Sequence, residues 1–195
     1  DSLNQKWAGG PMGTNEVLEA ISLENNELGV GTFSIKIVDL ERKININLIN
    51  EGNIYLLQHA LALQGVTPGD VSVISDSFLD WIDRDDVPHL SGAEGRDYVG
   101  NPNAGYAPYL AKNGPIDDLS EMLLVRGMTP EIFWGSSGGT PGSRPGPLAV
   151  VSSVSDQFPA EAGIADLFTF LSVGGININT ASALVLQLVP GLDPL

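Results

Sequence analysis

The sequence predicts an α+β fold, on three observations. Phe33, Ile35 and Ile37 alternate with Thr32, Ser34 and Lys36, the period of a half-buried strand, and residues 43–47 supply a second strand after a polar turn at Glu41-Arg42. A four-residue punctuation then recurs after apolar runs, as Gly65-Val66-Thr67-Pro68, Gly127-Met128-Thr129-Pro130 and Gly191-Leu192-Asp193-Pro194. Each joins a helix stop to a helix start: Gly suits the left-handed position past a C-terminus, Thr or Asp caps, and Pro takes the first helical position. Finally, Lys43-Ile44-Asn45-Ile46-Asn47 returns as Gly175-Ile176-Asn177-Ile178-Asn179. Two strand, helix and hairpin units therefore bracket a long acidic middle.

Taken in order, residues 1–14 read as an extended lead-in, and the strands at 33–37 and 43–47 as a hairpin. Asn50 is the expected N-cap of a helix over 51–64. Thr67 caps the next helix with Asp70 at the capping-box position, and Val71, Ile74, Phe78 and Ile82 mark its buried stripe. Residues 83–115 carry loop chemistry and are too long for a simple connection. A helix pair is expected over 119–126 and 131–134, a flexible Gly/Pro/Ser connection over 136–147, strands at 148–154, 167–173 and 175–179, and a helix over 181–189. The third punctuation stops at Leu195 before a second helix can form, as in a truncated chain.

Helical hairpins of this kind serve either as nonspecific DNA grips or as docking modules. Composition chooses between them. With 24 acids against 9 bases, a formal charge of −15, and no Lys or Arg after Arg144, the chain repels phosphates, which disfavours nucleic acid and anionic membrane surfaces as partners. The absence of Cys removes disulfides and thiolate metal sites. No apolar run approaches the roughly 20 residues needed to span a bilayer, and no basic-plus-apolar leader opens the chain, so the expectation is either a protein soluble throughout or one whose leading segment was removed.

The sharpest cluster is Asp76, Asp80 and Asp83, followed by Asp85, Asp86, Glu94 and Asp97. On a helix the first three fall at i, i+4 and i+7, where like charges repel and acids in the last turn oppose the helix dipole. A cation among them would offset both effects. Oxygen ligands on a flexible loop suit calcium, and Pro88 stands where an EF-hand needs Gly. A solvated acidic loop is the competing interpretation. Catalysis fares poorly: Gly135-Ser136-Ser137-Gly138-Gly139 matches a nucleophile elbow but lacks the strand and helix that motif requires. His59 reads as a packing residue, His89 as exposed, and Trp81 and Trp134 as core anchors.

The run Asp80-Trp81-Ile82-Asp83-Arg84-Asp85-Asp86, then Gly92-Ala93-Glu94 and Tyr98, then residues 119–129, resembles the K component, the large minor pseudopilin, of type II secretion systems. Ile176-Asn177-Ile178-Asn179-Thr180-Ala181-Ser182 is also usual there, as are Asp1-Ser2-Leu3 with Trp7 and Ile37-Val38-Asp39-Leu40. The resemblance implies a pseudopilin-type small antiparallel sheet with a large helical insertion containing helix-hairpin-helix (SAM-like) units. It divides the chain into the start of the sheet at 1–49, the insertion with its acidic loop and linker at 50–147, and short strands with a truncated unit at 148–195.

It further implies a noncatalytic protein at the tip of the pseudopilus, partnered with the I and J minor pseudopilins. Such a protein is the periplasmic domain of an inner-membrane-anchored chain, whose N-terminal helix and last sheet strands this sequence does not contain. Calcium is the implied cofactor, with Asp80, Asp83, Asp85, Glu94 and Asp97 as the carboxylates lying in the matching motif. The rivals are a helix-hairpin-helix nucleic-acid binder, opposed by charge, and a hydrolase using Ser137, opposed by its linker setting.

Overall fold

The computed structural model describes residues 25–35, 37–99, 108–135 and 162–192. The lead-in at 1–14, the connection at 136–147, Ser137 and the strand expected at 148–154 lie outside them. β1 (Asn26–Leu28) and β2 (Gly31–Phe33) form an antiparallel hairpin with Leu28 opposite Gly31. Its two-residue turn begins at Gly29, whose φ of 62° an L-side chain would resist. The strand expected at 33–37 therefore ends at Phe33 and pairs backward, and β2 is exposed throughout rather than half-buried.

The expected hairpin between 33–37 and 43–47 is replaced by a longer-range pairing. Asp39 accepts from the Glu41 backbone N–H at 3.0 Å and starts a 3₁₀ turn over Leu40–Arg42. The chain then enters β3 (Ile44–Asn45), which runs parallel to β4 (Phe168–Thr169) with Ile44 opposite Phe168. All four residues are buried. Parallel neighbours need a long crossover, and here the helical body supplies it. Among the described residues the sheet is thus two separate two-stranded pieces, one of them parallel.

The repeated Ile-Asn-Ile-Asn bends after its first Asn in both copies: of the strand expected at 43–47 only Ile44–Asn45 is extended in a ladder before a 3₁₀ turn, and no strand forms at 175–179. Asn45 Oδ1 accepts from Asn47 N–H at 2.9 Å, and Asn177 Oδ1 accepts from Asn179 N–H at 3.1 Å. Short amide side chains compete with sheet ladders in this way. The remaining amides cross the molecule. Asn47 donates to the Ile116 carbonyl at 2.9 Å and accepts from its N–H at 2.7 Å, while Asn45 donates to the Ser172 carbonyl and Asn177 to the Asp39 carboxylate.

α1 (Tyr55–Leu63) starts later than expected because Asn50, Gly52 and Asn53 close a turn instead: Gly52 N–H donates to Asn50 Oδ1 at 2.9 Å and Asn50 N–H to Asn53 Oδ1 at 2.7 Å. After α1, Gly65 has φ 78°, with bonds from Gly65 N–H to Ala62 O and from Val66 N–H to Leu61 O. These two bonds define a Schellman stop. α2 (Pro68–Ile82) follows at once, with Thr67 accepting from Asp70 N–H at 3.3 Å and donating to its carboxylate at 2.7 Å. Ile74, Phe78 and Trp81 are buried, with Val71 and Ile82 packed at the margin.

The second punctuation has the same local form: Gly127 at φ 85°, Thr129 accepting from Ile132 N–H, then α4 (Pro130–Trp134), with the short α3 (Gly95–Val99) lying earlier in what reads as loop. The segment before it is a 3₁₀ helix, Leu119–Leu124, with a capping box between Asp118 and Glu121. Phe133 is buried whereas Trp134 is 41% exposed, so Trp134 is no core anchor; His59 is likewise exposed on α1.

An unforeseen α5 (Ile164–Leu167) packs on α4, where a methyl on Gly163 would overlap the Phe133 and Trp134 backbone. α6 (Ala183–Leu188) is capped by Ser182. One apolar core joins Ile46, Leu57, Phe78, Phe133, Phe168 and Leu188, residues far apart in the sequence.

Candidate metal centre

The end of α2 is where the acidic residues converge. Asp80 lies in its last turn and is fully buried, and Asp83 closes the helix by donating its N–H to Leu79 O at 3.0 Å. The segment after Asp83 folds back over this face and is tied to it at several points. Ser91 N–H donates to Asp76 Oδ2 at 2.9 Å, and His89 donates to Asp80 Oδ1 from its backbone N–H at 2.9 Å and through ring Nδ1. Asn113, held at φ 50°, donates to Asp85 O and Asp86 Oδ1 at 3.1 and 3.2 Å. His89, expected to be exposed, is therefore half-buried and bonded.

Two overlapping ligand sets result, Asp80 with Asp83 and His89, and Asp83 with Asp85 and Glu94. Within each set, one donor atom per residue lies within 4.8 Å of the others. Four buried carboxylate oxygens there have no hydrogen-bond partner: Asp80 Oδ2, Asp83 Oδ1 and both oxygens of Glu94. Buried acceptors in proteins are normally satisfied, so these call for a proton or a cation. Burial, then the charges of Asp80, Asp83 and Asp86, push the Glu94 carboxyl up to about 7. Burial and the Asp85 and Asp80 charges raise Asp83 as well. Hydrogen bonding to Asp80 raises His89.

The donors are mainly hard oxygens, the chemistry of a group 2 cation, so the residues fit the metal that the motif implies. Asp97 stands apart from them. It is exposed, and its Oδ2 accepts from the Glu94 N–H at 2.9 Å, which orients Glu94 from outside the set. Trp81, Tyr98 and Tyr109 wall the other side: Trp81 meets Tyr98 edge-on at 5.6 Å and Tyr98 stacks on Tyr109 at 5.0 Å. Arg126 ties this wall to the loop, its N–H donating to Tyr98 Oη at 3.2 Å and its guanidinium to the Gly92 carbonyl at 3.4 Å.

The segment that builds this site is also the one that comparison recognises. Residues 42–134 match the family model described as type II secretion system, protein K. The matched stretch runs from β3 to α4 and contains the whole carboxylate cluster. A solved structure, the GspK-GspI-GspJ complex of the type 2 secretion system of enterotoxigenic Escherichia coli, has a chain similar to this one at 23% identity and TM-score 0.49. The similarity covers 66% of this chain and 43% of that one, so the sequence spans less than half of its relative's length. No curated protein matches.

Within the matched segment, the acidic residues were legible from sequence and their supports were not. Sequence reading named Gly92 only as a motif residue and His89 only as exposed, and it did not single out Asn113. The Pro88-His89 pair and the Gly92-Ala93-Glu94 run are the only local signals for the first two, since a Gly wedged among acids marks a close approach. Asn113 could be singled out only by its left-handed backbone, a conformation to which Asn is prone. No helix among the described residues is long and apolar enough to cross a membrane.

Proposed function

We propose that this chain is part of a noncatalytic minor pseudopilin at the tip of the type II secretion pseudopilus, acting in export of folded proteins, with the I and J components as partners. The observation that carries this reading is the family match over residues 42–134, together with the motif residues within it. The protein is read as periplasmic, joined to the inner membrane through an N-terminal helix that this sequence does not contain. Its helical hairpins then act as packing and docking modules, in keeping with a charge of −15. The bulk of the helical region limits addition of further subunits, because a subunit with one usable side ends a head-to-tail filament. Light scattering on the complete periplasmic domain mixed with the I and J proteins tests this. A defined heteromer with one copy of this chain is expected; filaments of this chain alone, or no association, refute it.

We further propose that Asp80, Asp83, Asp85 and Glu94 hold calcium. The ion supplies positive charge to four partnerless buried oxygens and so fixes the loop after α2 against the helix end. With calcium at a hundred times its dissociation constant, the folded state gains about 2.7 kcal/mol. Trp81 adjoins Asp80, so terbium in place of calcium should luminesce on excitation of that indole. Absence of sensitised emission, with equal melting in calcium and chelator, overturns the metal reading.

A further inference from the structure

The Asp80 carboxylate is asymmetric in a way that the ligand set alone does not explain. Its Oδ1 receives two donors from one residue, the backbone N–H of His89 at 2.9 Å and ring Nδ1. Its Oδ2 is equally buried and receives none. Gly92 closes over that second oxygen: a methyl there would overlap Oδ2 and crowd Asp80 Cγ at 2.8 Å. The His89 ring is itself oriented at its far side, where Nε2 lies 3.6 Å from the exposed Glu51 carboxylate.

From this geometry we infer that His89 is the positioning residue of the cation site: it fixes Asp80 through Oδ1 and leaves Oδ2 aimed at the ion. The inference rests on the proposed calcium site and adds to it a residue outside the carboxylate motif. Both ring nitrogens face carboxylates, so the imidazole is used as a donor. A ring donating its Nδ1–H to Oδ1 has no lone pair on that nitrogen for a metal, which separates positioning from direct ligation. Supports of this kind orient ligands and remove their rotational freedom before the ion arrives.

Calorimetric titration of the full chain with calcium chloride provides the test. His89→Phe keeps the ring volume and the backbone donor but removes the side-chain donor, and is expected to weaken calcium binding about 10- to 100-fold. His89→Asn places an amide N–H near the lost Nδ1–H and is expected to restore most of the affinity. His89→Leu is a second donorless variant, and melting in chelator confirms that each variant is folded. Calcium binding unchanged in the Phe and Leu variants overturns the inference while leaving the calcium site standing. So does an Asn variant as weak as Phe, or a wild-type site that takes zinc through His89 in preference to calcium. A wild-type chain that binds no calcium overturns both.

Discussion

Glu94 offers the most discriminating perturbation, because its buried carboxylate has no donor on either oxygen. In the metal-free protein its proton-binding midpoint lies at about 7, against an ordinary 4.5. A carboxyl raised on folding binds its proton more tightly in the native state. Stability therefore falls as pH climbs from 4.5 through about 7, and the whole penalty is present above that range. At 1.36 kcal/mol per unit the displacement corresponds to about 3 kcal/mol, or roughly 6–12 °C in melting temperature for a domain of this size. Asp83 and His89 are shifted upward too and act in the same direction.

Glu94→Gln removes the titrating group with little change of shape. Its buried amide adds a constant offset of about 1–3 kcal/mol for unmet hydrogen bonds, but that offset does not vary with pH. In chelator, the stability of the variant relative to wild type should therefore rise by about 3 kcal/mol between pH 4.5 and 8. Calcium should cancel the wild-type decline, because an ion replaces the proton, and should do little for the variant. The assay is thermal melting across that pH range in chelator and in excess calcium. Parallel pH profiles for the two proteins in chelator would refute the reasoning, since they would put the Glu94 carboxylate in solvent.

Asn47→Ala breaks both bonds to the Ile116 backbone, at 2.9 and 2.7 Å, and leaves a buried N–H and C=O unpaired. A loss of about 2–4 kcal/mol in urea unfolding is expected. Thr180→Val removes the hydroxyl that donates to Asp39 at 2.6 Å, the first cause holding that carboxyl below its ordinary 3.8. A depressed Asp stabilises above its unfolded value and loses that contribution as pH falls through the folded one. The variant should thus be less stable than wild type at neutral pH, with the gap closing in acid, as acid titrations of melting temperature will report. Labelled duplex DNA at low salt should show no saturable micromolar binding, because counterion release needs cationic contacts that a chain of charge −15 does not supply.

The helix punctuation was legible because each of its residues has one local job. Gly65, Gly127 and Gly191 all have positive φ, and Thr67 and Thr129 both cap as their positions require. Asp76, Asp80 and Asp83 were legible for a related reason, since the helix period sets their common face, whereas Asp85 and Glu94 lie beyond the helix and join them only when the loop folds back. The sheet was not. Alternation at 33–37 says only that a strand is affordable there, whereas the partner of Ile44 is Phe168, and pairing at that range depends on the whole core. His89 was missed because a loop histidine has no period at all, and its bond to Asp80 exists only once the loop has folded back.

The repeated Ile-Asn-Ile-Asn shows where a sequence pattern and its structural meaning part. Alternation of Ile and Asn satisfies the strand template, yet in both copies the first Asn turns onto the second, at 2.9 and 3.1 Å. The distant partners of Asn45, Asn47 and Asn177 explain why an Asn and not a Thr or Val occupies those three places. Asn47 needs both a donor and an acceptor to pair with Ile116, and Asn177 needs a donor for Asp39. Asn45, Asn47 and Asn177 thereby tie residues 39–47 to residues 172–177 and to the loop bearing Ile116, next to the stretch from which Asn113 reaches the acidic segment. Asn113 thus joins the acidic segment to the stretch that Asn47 holds through Ile116, while the backbone N–H groups of His89 and Ser91 tie the same segment to α2.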